Sequence, residues 1–237
     1  MILFISDLHL SPRTPGAMRL FCRFLAERAR AASELYILGD LFEAWIGDDD
    51  DSAQEAIAAL RAASDAGLCI RVMHGNRDFL LGEGFAAAAG VQLISEPYIL
   101  STPEWQFVLA HGDALCLDDT RYQAFRAEVR TPAWQSAFLA RPLAERRHIA
   151  AGMRDESQRT QSDRDNPYSD LSPGATDDFL RQHGYATFIH GHTHQPATHD
   201  HIVDGIHVER WVLADWSESA GECLCWNGEA LHRETLA

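Results

Sequence analysis

Seven side chains with nitrogen or oxygen donors stand at equivalent places along this 237-residue sequence: Asp7, His9, Asp40, Asn76, His111, His192 and His194. Each follows an apolar run of β type. Ile2-Leu3-Phe4-Ile5 leads into Asp7 and His9, and Leu35-Tyr36-Ile37-Leu38 into Gly39-Asp40. Ile70-Arg71-Val72-Met73 leads into His74-Gly75-Asn76, and Phe107-Val108-Leu109-Ala110 into His111-Gly112-Asp113. Phe188-Ile189 enters His190-Gly191-His192-Thr193-His194. Aspartate and histidine suit borderline divalent cations such as Mn²⁺, Zn²⁺ or Fe²⁺, and asparagine can add a carbonyl oxygen. Seven donors are too many for one tetrahedral ion but suit two ions sharing a carboxylate. No cysteine stands among them, which argues against a structural zinc. A lone histidine is usually structural; the same placement five times over is the signal.

The elements that must position these donors are buried strands of an α/β sheet, where ligands collect at the carboxyl ends. The pattern predicts five successive strand ends. Leu20, Phe21, Phe24 and Leu25 form a helix-period stripe after the first. Ser52-Ala53-Gln54-Glu55 has the spacing of a capping box, followed by Ile57 and Leu60 and stopped at Gly67. Near the C-terminus, Asp204-Gly205 separates 199–203 from 206–213, and Asn227-Gly228 separates 222–226 from 229–234. Both dipeptides suit tight antiparallel hairpins. Over 118–172 the strand pattern disappears, and Tyr122, Phe125 and Val129 take helical spacing. This length predicts a helical cap or lid inserted in a single 1–237 domain, over the ligand-binding edge; two ordinary connecting helices are the alternative.

Composition narrows the class. Hydrophobic content of 46% and charged content of 23% are those of an ordinary globular chain. No apolar run reaches the roughly 18 residues of a membrane span. The first strand begins at Ile2 with no basic leader before it, which predicts the cytoplasm. Five scattered cysteines predict reduced, mostly buried thiols. Cys223 and Cys225 would share one strand face, without the second cysteine pair of a zinc site. A net charge of −15 disfavours nucleases and other proteins that track many phosphates. From Arg121 to Arg164, nine arginines accompany five acids, either as a solvated face or as a patch for an anionic substrate or membrane surface.

The blocks Asp7-x-His9, Gly39-Asp40, Gly75-Asn76-Arg77-Asp78, His111-Gly112-Asp113 and Gly191-His192-Thr193-His194 resemble those of the calcineurin-like metallophosphoesterases, in family order along the whole chain. The resemblance implies an α/β fold, a four-layer αββα sandwich with a helical cap insertion, and two divalent metal ions. Asp7, His9 and His194 would hold the first ion, Asn76, His111 and His192 the second, and Asp40 would bridge them. Two ions roughly 3.5–4 Å apart lower the pKa of a bridging water and clamp phosphoryl oxygens during in-line attack. Asp40, Asn76, Arg77 and His111 are then the expected catalytic centre. Arg77 stands where the superfamily usually has a histidine that serves the leaving group. An anhydride suits the arginine, because its leaving phosphate, with a second pKa of about 6, departs without a proton. Arg77 would instead offer a bidentate fork to phosphate oxygens.

Longer strings, Tyr36 to Asp49, His74 to Leu81 and Asp118 to Arg126, resemble the bacterial UDP-2,3-diacylglucosamine hydrolases of lipid A synthesis. That family implies attack of water on the α-phosphorus of UDP-2,3-diacylglucosamine, with Mn²⁺ as the expected metal, giving UMP and 2,3-diacylglucosamine 1-phosphate (lipid X). It implies substrate contacts at Asn76, Arg77, Asp119, Ser157, Gln161, Arg164 and His192, with Tyr122 as an addition. Gln161 and Arg164 stand where some members have Asn and Lys. A diacylated substrate implies peripheral attachment to the cytoplasmic face of the inner membrane, with no nucleic acid and no obligate protein partner. A pyrophosphatase or phosphodiesterase for soluble substrates would share every metal ligand. A silent scaffold is disfavoured, since none of the seven donors is missing.

Overall fold

The computed structural model describes residues 1–103, 105–162 and 170–237, with the backbone alone for 155–162. In chain order the elements begin β1 (Ile2–Ile5), α1 (Pro15–Ala26), β2 (Glu34–Leu38), α2 (Gln54–Asp65), β3 (Cys69–Met73), α3 (Glu83–Ala89), β4 (Gln92–Ile94), β5 (Tyr98–Ser101) and β6 (Gln106–Ala110). Helices α4 (Thr120–Val129), α5 (Pro132–Leu139), α6 (Leu143–Ser162) and α7 (Pro173–Gln182) follow. Then come β7 (Thr187–His190), β8 (Ala197–Val203), β9 (Ile206–Val212), β10 (Gly221–Trp226) and β11 (Leu231–Leu236).

The strands form two sheets, ordered β11-β10-β1-β2-β3-β4 and β5-β6-β7-β9-β8. Side-chain alternation along each strand builds the layers. Leu3, Ile5, Leu35, Ile37, Ile70 and Val72 pack with Leu20, Phe21, Phe24, Leu60 and Phe85 of α1–α3. Their neighbours Phe4, Tyr36, Leu38 and Met73 meet Phe107, Leu109 and Ile189 of the second sheet. On its far side Val108 and Phe188 pack with Leu180 of α7. The result is a four-layer αββα sandwich. Because both faces of these strands are buried, their sequences are apolar without alternation. The five donor-bearing strand ends are not successive: β4 and β5 intervene, and three strands belong to one sheet and two to the other. Within each sheet they run parallel, β1 with β2, β2 with β3, and β6 with β7, so their carboxyl ends share a rim.

Local signals held with two corrections. The stripe of α1 is buried as expected. The capping box does not form: α2 is capped by Ala53 without a side-chain hydrogen bond, while Asp50 accepts from the Ser52 amide. The local aspartate thus takes Ser52 into a turn, and the helix starts one residue later. Asp204 and Gly205 make the two-residue β8–β9 turn, both with positive φ. The β10–β11 turn is longer than expected, because Asn227 Oδ1 accepts from the Glu229 and Ala230 amides and delays the strand to Leu231.

Between Leu117 and Ser172 the chain forms three described helices, α4–α6, and its entry and exit are joined by Leu117 N donating to Ser172 Oγ at 2.9 Å. Five arginines of this segment reach carboxylates outside it. Arg126 meets Asp113 and Glu96, Arg130 approaches Asp113, Arg146 meets Asp49, Arg147 meets Asp50, and Arg154 meets Glu43. Five of the nine arginines thus tie the helices to carboxylates elsewhere on the chain. Cys116, Cys223 and Cys225 are buried, Cys22 is half-buried and Cys69 exposed. Cys223 and Cys225 share the α1–α3 core, as their spacing predicted. Among the described residues, no helix is long and apolar enough to cross a membrane.

Candidate metal centre

Beyond the strand ends the loops stay locked to one another. Asp7 N donates to Gly39 O at 3.2 Å, His9 N to Asp40 O at 3.0 Å, and Gly191 N to His111 O at 3.0 Å. His192 N donates to Asp7 Oδ2 at 2.8 Å, joining the two sheets at the rim. Five candidate ligands have positive φ: Asp7 (55°), His9 (49°), Asp40 (51°), His192 (69°) and His194 (54°). Non-glycine residues take this left-handed region at a cost of about 1–3 kcal/mol each, and such strain gathers at functional sites. Gly75 is required by crowding, since a Cβ there would lie 2.1 Å from Asp40 Oδ1.

The side chains converge in two groups. His9 Nε2 lies 3.2 Å from His194 Nε2, which lies 3.3 Å from Asp7 Oδ1. Asn76 Oδ1 lies 2.8 Å from His111 Nε2 and 2.9 Å from His192 Nδ1. Asp40 stands between them, 3.8 Å from His9 Nδ1 through Oδ2 and 3.7 Å from His111 Nε2 through Oδ1. Ligand atoms of Asp7, His9 and His194, and of Asp7, Asp40 and His111, lie within 4.8 Å of one another. A third such group, Cys225, His232 and Glu234, is already spanned by Arg28, which donates to Glu234 and to Cys225 Sγ.

The donor set fits cations. Asp7 Oδ1 is buried without a hydrogen-bond partner, while Oδ2 accepts from Ser6 Oγ at 2.6 Å and from His192 N. An orphaned carboxylate oxygen aimed among imidazoles is costly unless a cation meets it. The His111 Nδ1–H donates to Leu38 O at 2.9 Å, the outer hydrogen bond that orients a ligating imidazole and leaves Nε2 for the ion.

Protons take up the same attraction. Burial pushes the Asp40 carboxyl up to about 7, helped by Asp78 and Asp7. Burial alone would lower His111, yet Asp40, Asp7 and Asp113 raise it to about 9. Burial works to raise Asp7, but His194, His111 and His9 hold it well below the usual carboxylate range. His194 rises because Asp7 outweighs burial. Burial drives His9 well down, reinforced by Arg77, and brings His192 to about 4 with the help of His111.

All seven predicted donors therefore come together. Arg77 joins them: its amide donates to Asp40 Oδ1 at 2.8 Å, and its guanidinium contacts Glu43 Oε2 at 2.9 Å. Tyr122 of α4 stacks on His192, centroids 6.1 Å apart, with its hydroxyl on Asp113. Asp119 caps α4 through the Tyr122 amide at 3.0 Å. The side chains of Ser157 and Gln161, and all of Arg164, lie outside the described residues.

Sequence reasoning missed three acids. Glu43 lies 3.4 Å from His9 Nδ1 and binds Arg77 and Arg154. Glu96 accepts from the His111 and Gly112 amides and from Arg126. Asp113, fully buried, takes Tyr122 and Arg126. Asp113 had a signal, the Gly-Asp dipeptide shared with Gly39-Asp40; Glu43 and Glu96 had none.

Residues 1–196 match the calcineurin-like phosphoesterase family. The chain is 47% identical over 231 residues to a UDP-2,3-diacylglucosamine hydrolase of Aromatoleum aromaticum, covering 95% of this chain and 93% of that one. It is 45% identical over 245 residues to the protein of that name in Stenotrophomonas maltophilia, covering 98% and 99%. Among solved structures, a dimetal phosphatase from Danio rerio superposes with a TM-score of 0.55 at 13% identity, covering 100% of this chain and 95% of that one, a likeness of fold.

Proposed function

This chain belongs to the calcineurin-like phosphoesterases, and from that premise we propose that it hydrolyses the pyrophosphate of UDP-2,3-diacylglucosamine, with water attacking the α-phosphorus. The products are UMP and 2,3-diacylglucosamine 1-phosphate, which places the reaction in lipid A synthesis. The observation that carries the reading is the rim itself, where Asp7, His9, Asp40, Asn76, His111, His192 and His194 converge around an orphaned carboxylate oxygen. Relatives 45–47% identical along nearly their whole length, each named for that hydrolase, support the substrate.

Two divalent ions, Mn²⁺ in our reading, would supply Lewis acidity and a lowered pKa for water. Asp7, His9 and His194 would hold one and Asn76, His111 and His192 the other, with Asp40 the carboxylate shared by the two groups. Arg77 gives fixed positive charge to the pyrophosphate oxygens beside them; Glu43 aims its guanidinium. No residue need protonate the departing phosphate. Tyr122 and Asp119 face the sugar phosphate from α4, with Ser157, Gln161 and Arg164 as further contacts. The 118–172 segment acts as a cap. A cleft of ≈ 360 Å³ lies between it and the core, where Phe79, Leu80, Leu81 and Leu139 offer apolar surface to an acyl chain beside the polar His74, Arg130 and Gln135. Leu139 and Met153 expose apolar surface on the cap and suit a peripheral approach to the inner membrane.

The test is Mn²⁺-dependent release of UMP from the diacylated substrate in mixed micelles, wild type beside His9→Ala. Rapid release abolished by the substitution is expected. Hydrolysis of soluble phosphodiesters with the lipid substrate inert would keep the metal centre and discard the lipid.

A further inference from the structure

Arg210 lies in β9, in register with Phe188 of β7, and is only 4% exposed, although it belongs to none of the groups described above. Its nitrogens are fully engaged. Nη1 and Nη2 grip the two oxygens of Asp170 at 2.7 Å each, and Nε meets His201 Nε2 at 3.2 Å. Nη1 also lies 3.1 Å from Nε2 of His190, a fully buried ring two residues before His192.

The other face of His190 fixes its tautomer. Nδ1 stands 2.8 Å from Gly191 O, a pure acceptor, so Nδ1 carries the hydrogen and Nε2 offers its lone pair to Arg210. That carbonyl accepts a second hydrogen bond, from Thr193 N at 2.8 Å. The Gly191–Thr193 bond closes a γ-turn around His192, whose φ of +69° belongs to the rare, strained form of that turn. Strain of this kind persists only where surrounding contacts over-determine the backbone. Here Gly191 cannot shift freely, since even an added Cβ would lie 2.0 Å from Ser6 Oγ.

We propose that Arg210 is a positioning residue for the metal centre. Through His190 it locks the turn that presents His192 and His194, and through Asp170 it ties that turn to the exit of the helical insertion. Asp170 precedes Leu171 and Ser172, where the insertion closes on Leu115 and Leu117, with Ser172 N donating to Leu115 O at 2.9 Å. The insertion's seating and the ligand geometry are thus one connected structure. The inference rests on His192 and His194 being ligands, as proposed above, and its test separates the two ideas.

Mn²⁺ affinity is measured directly, by the loss of free-ion EPR signal, on the full chain without substrate. Arg210→Met removes the fork while keeping apolar bulk, and it should weaken Mn²⁺ binding about tenfold, the low end of the loss for a direct partner of a metal ligand, because Arg210 acts one residue further out through His190. With Mn²⁺ saturating, kcat should fall while KM stays within about threefold, because the substrate is not touched. Arg210→Lys, which keeps the charge and one bond to Asp170, should recover part of the affinity. If Arg210→Met does not fold, by near-ultraviolet circular dichroism, Arg210→Lys carries the measurement: affinity within threefold of wild type overturns the proposal. His192→Ala runs beside them. Loss of an ion in His192→Ala with undiminished affinity in the folded Arg210 variants would sink the coupling and leave the ligands standing. Unchanged binding in His192→Ala would remove the premise instead.

Discussion

Loading the centre with Mn²⁺ should expel protons, and the number follows from the two shifted groups. A metal takes only deprotonated donors. With its pKa at about 9, His111 is almost wholly protonated at pH 7, and Asp40, at about 7, is about half protonated. Both ring nitrogens of His111 face acceptors, Asn76 Oδ1 and Leu38 O, as an imidazolium requires. Together the two groups release about 1.5 protons as the ions bind, and the raised His194 adds to this. Displacing the His111 proton alone costs about 3 kcal/mol at pH 7, at 1.36 kcal/mol per unit. Affinity should therefore rise about 30-fold from pH 6.5 to 7.5. The sign for stability runs the other way in the metal-free protein. His111, raised from 6.5 to about 9, stabilises the fold fully below pH 6.5 and loses that contribution as pH climbs to 9. Isothermal calorimetry at pH 7 in two buffers of different ionisation enthalpy counts the protons. Release of fewer than about 0.5 protons, together with an affinity flat in pH, would refute this account of the rim.

Three further outcomes are expected. Gly75→Ala should cost at least about tenfold in Mn²⁺ affinity, read by the same calorimetry, because the new Cβ meets Asp40 Oδ1 at 2.1 Å; normal affinity would show that Asp40 is not held there. Arg126→Met should destabilise the chain by about 3 kcal/mol in urea melts, since it strips a cation from fully buried Asp113, whereas Arg141→Ala, whose pair with Glu145 is exposed on both sides, should cost under about 0.5 kcal/mol. Arg77→Lys should lower kcat/KM for the pyrophosphate about 100-fold while sparing Mn²⁺ binding; an equal loss in both would make Arg77 a structural support for Asp40.

The strand ends were legible because two independent constraints write them. Burial on both faces makes Leu35 to Leu38 and Phe107 to Ala110 continuous apolar runs, and the chemistry then places a donor after each. The same burial hides which sheet a strand joins, since Phe4 against the second sheet and Ile5 against α1–α3 are equally apolar. Hence the ends looked successive although the short β4 and β5 come between them. The capping box failed because spacing cannot register that Asp50 competes for the Ser52 amide. The docking of the insertion was illegible for a different reason. An arginine bound to a distant carboxylate, such as Arg146 to Asp49 across 97 positions, reads like one in solvent. Glu43 shows the same limit, being defined only by what the fold brings to it: His9, Arg77 and Arg154.

Five candidate donors with positive φ would each favour another backbone if freed, so contacts around them must hold them. The chain itself supplies such contacts: loop amides paired across the rim, Asp7 Oδ2 receiving Ser6 and His192, and strands such as Leu3 to Ile5 with no exposure at all. Two acids outside the seven donors extend this frame, fully buried Asp113 and half-buried Glu96, both paired with Arg126 of the insertion. Glu96 holds the His111 amide and both acids hold Arg126, so the 118–172 segment is tied to the strand end that carries His111.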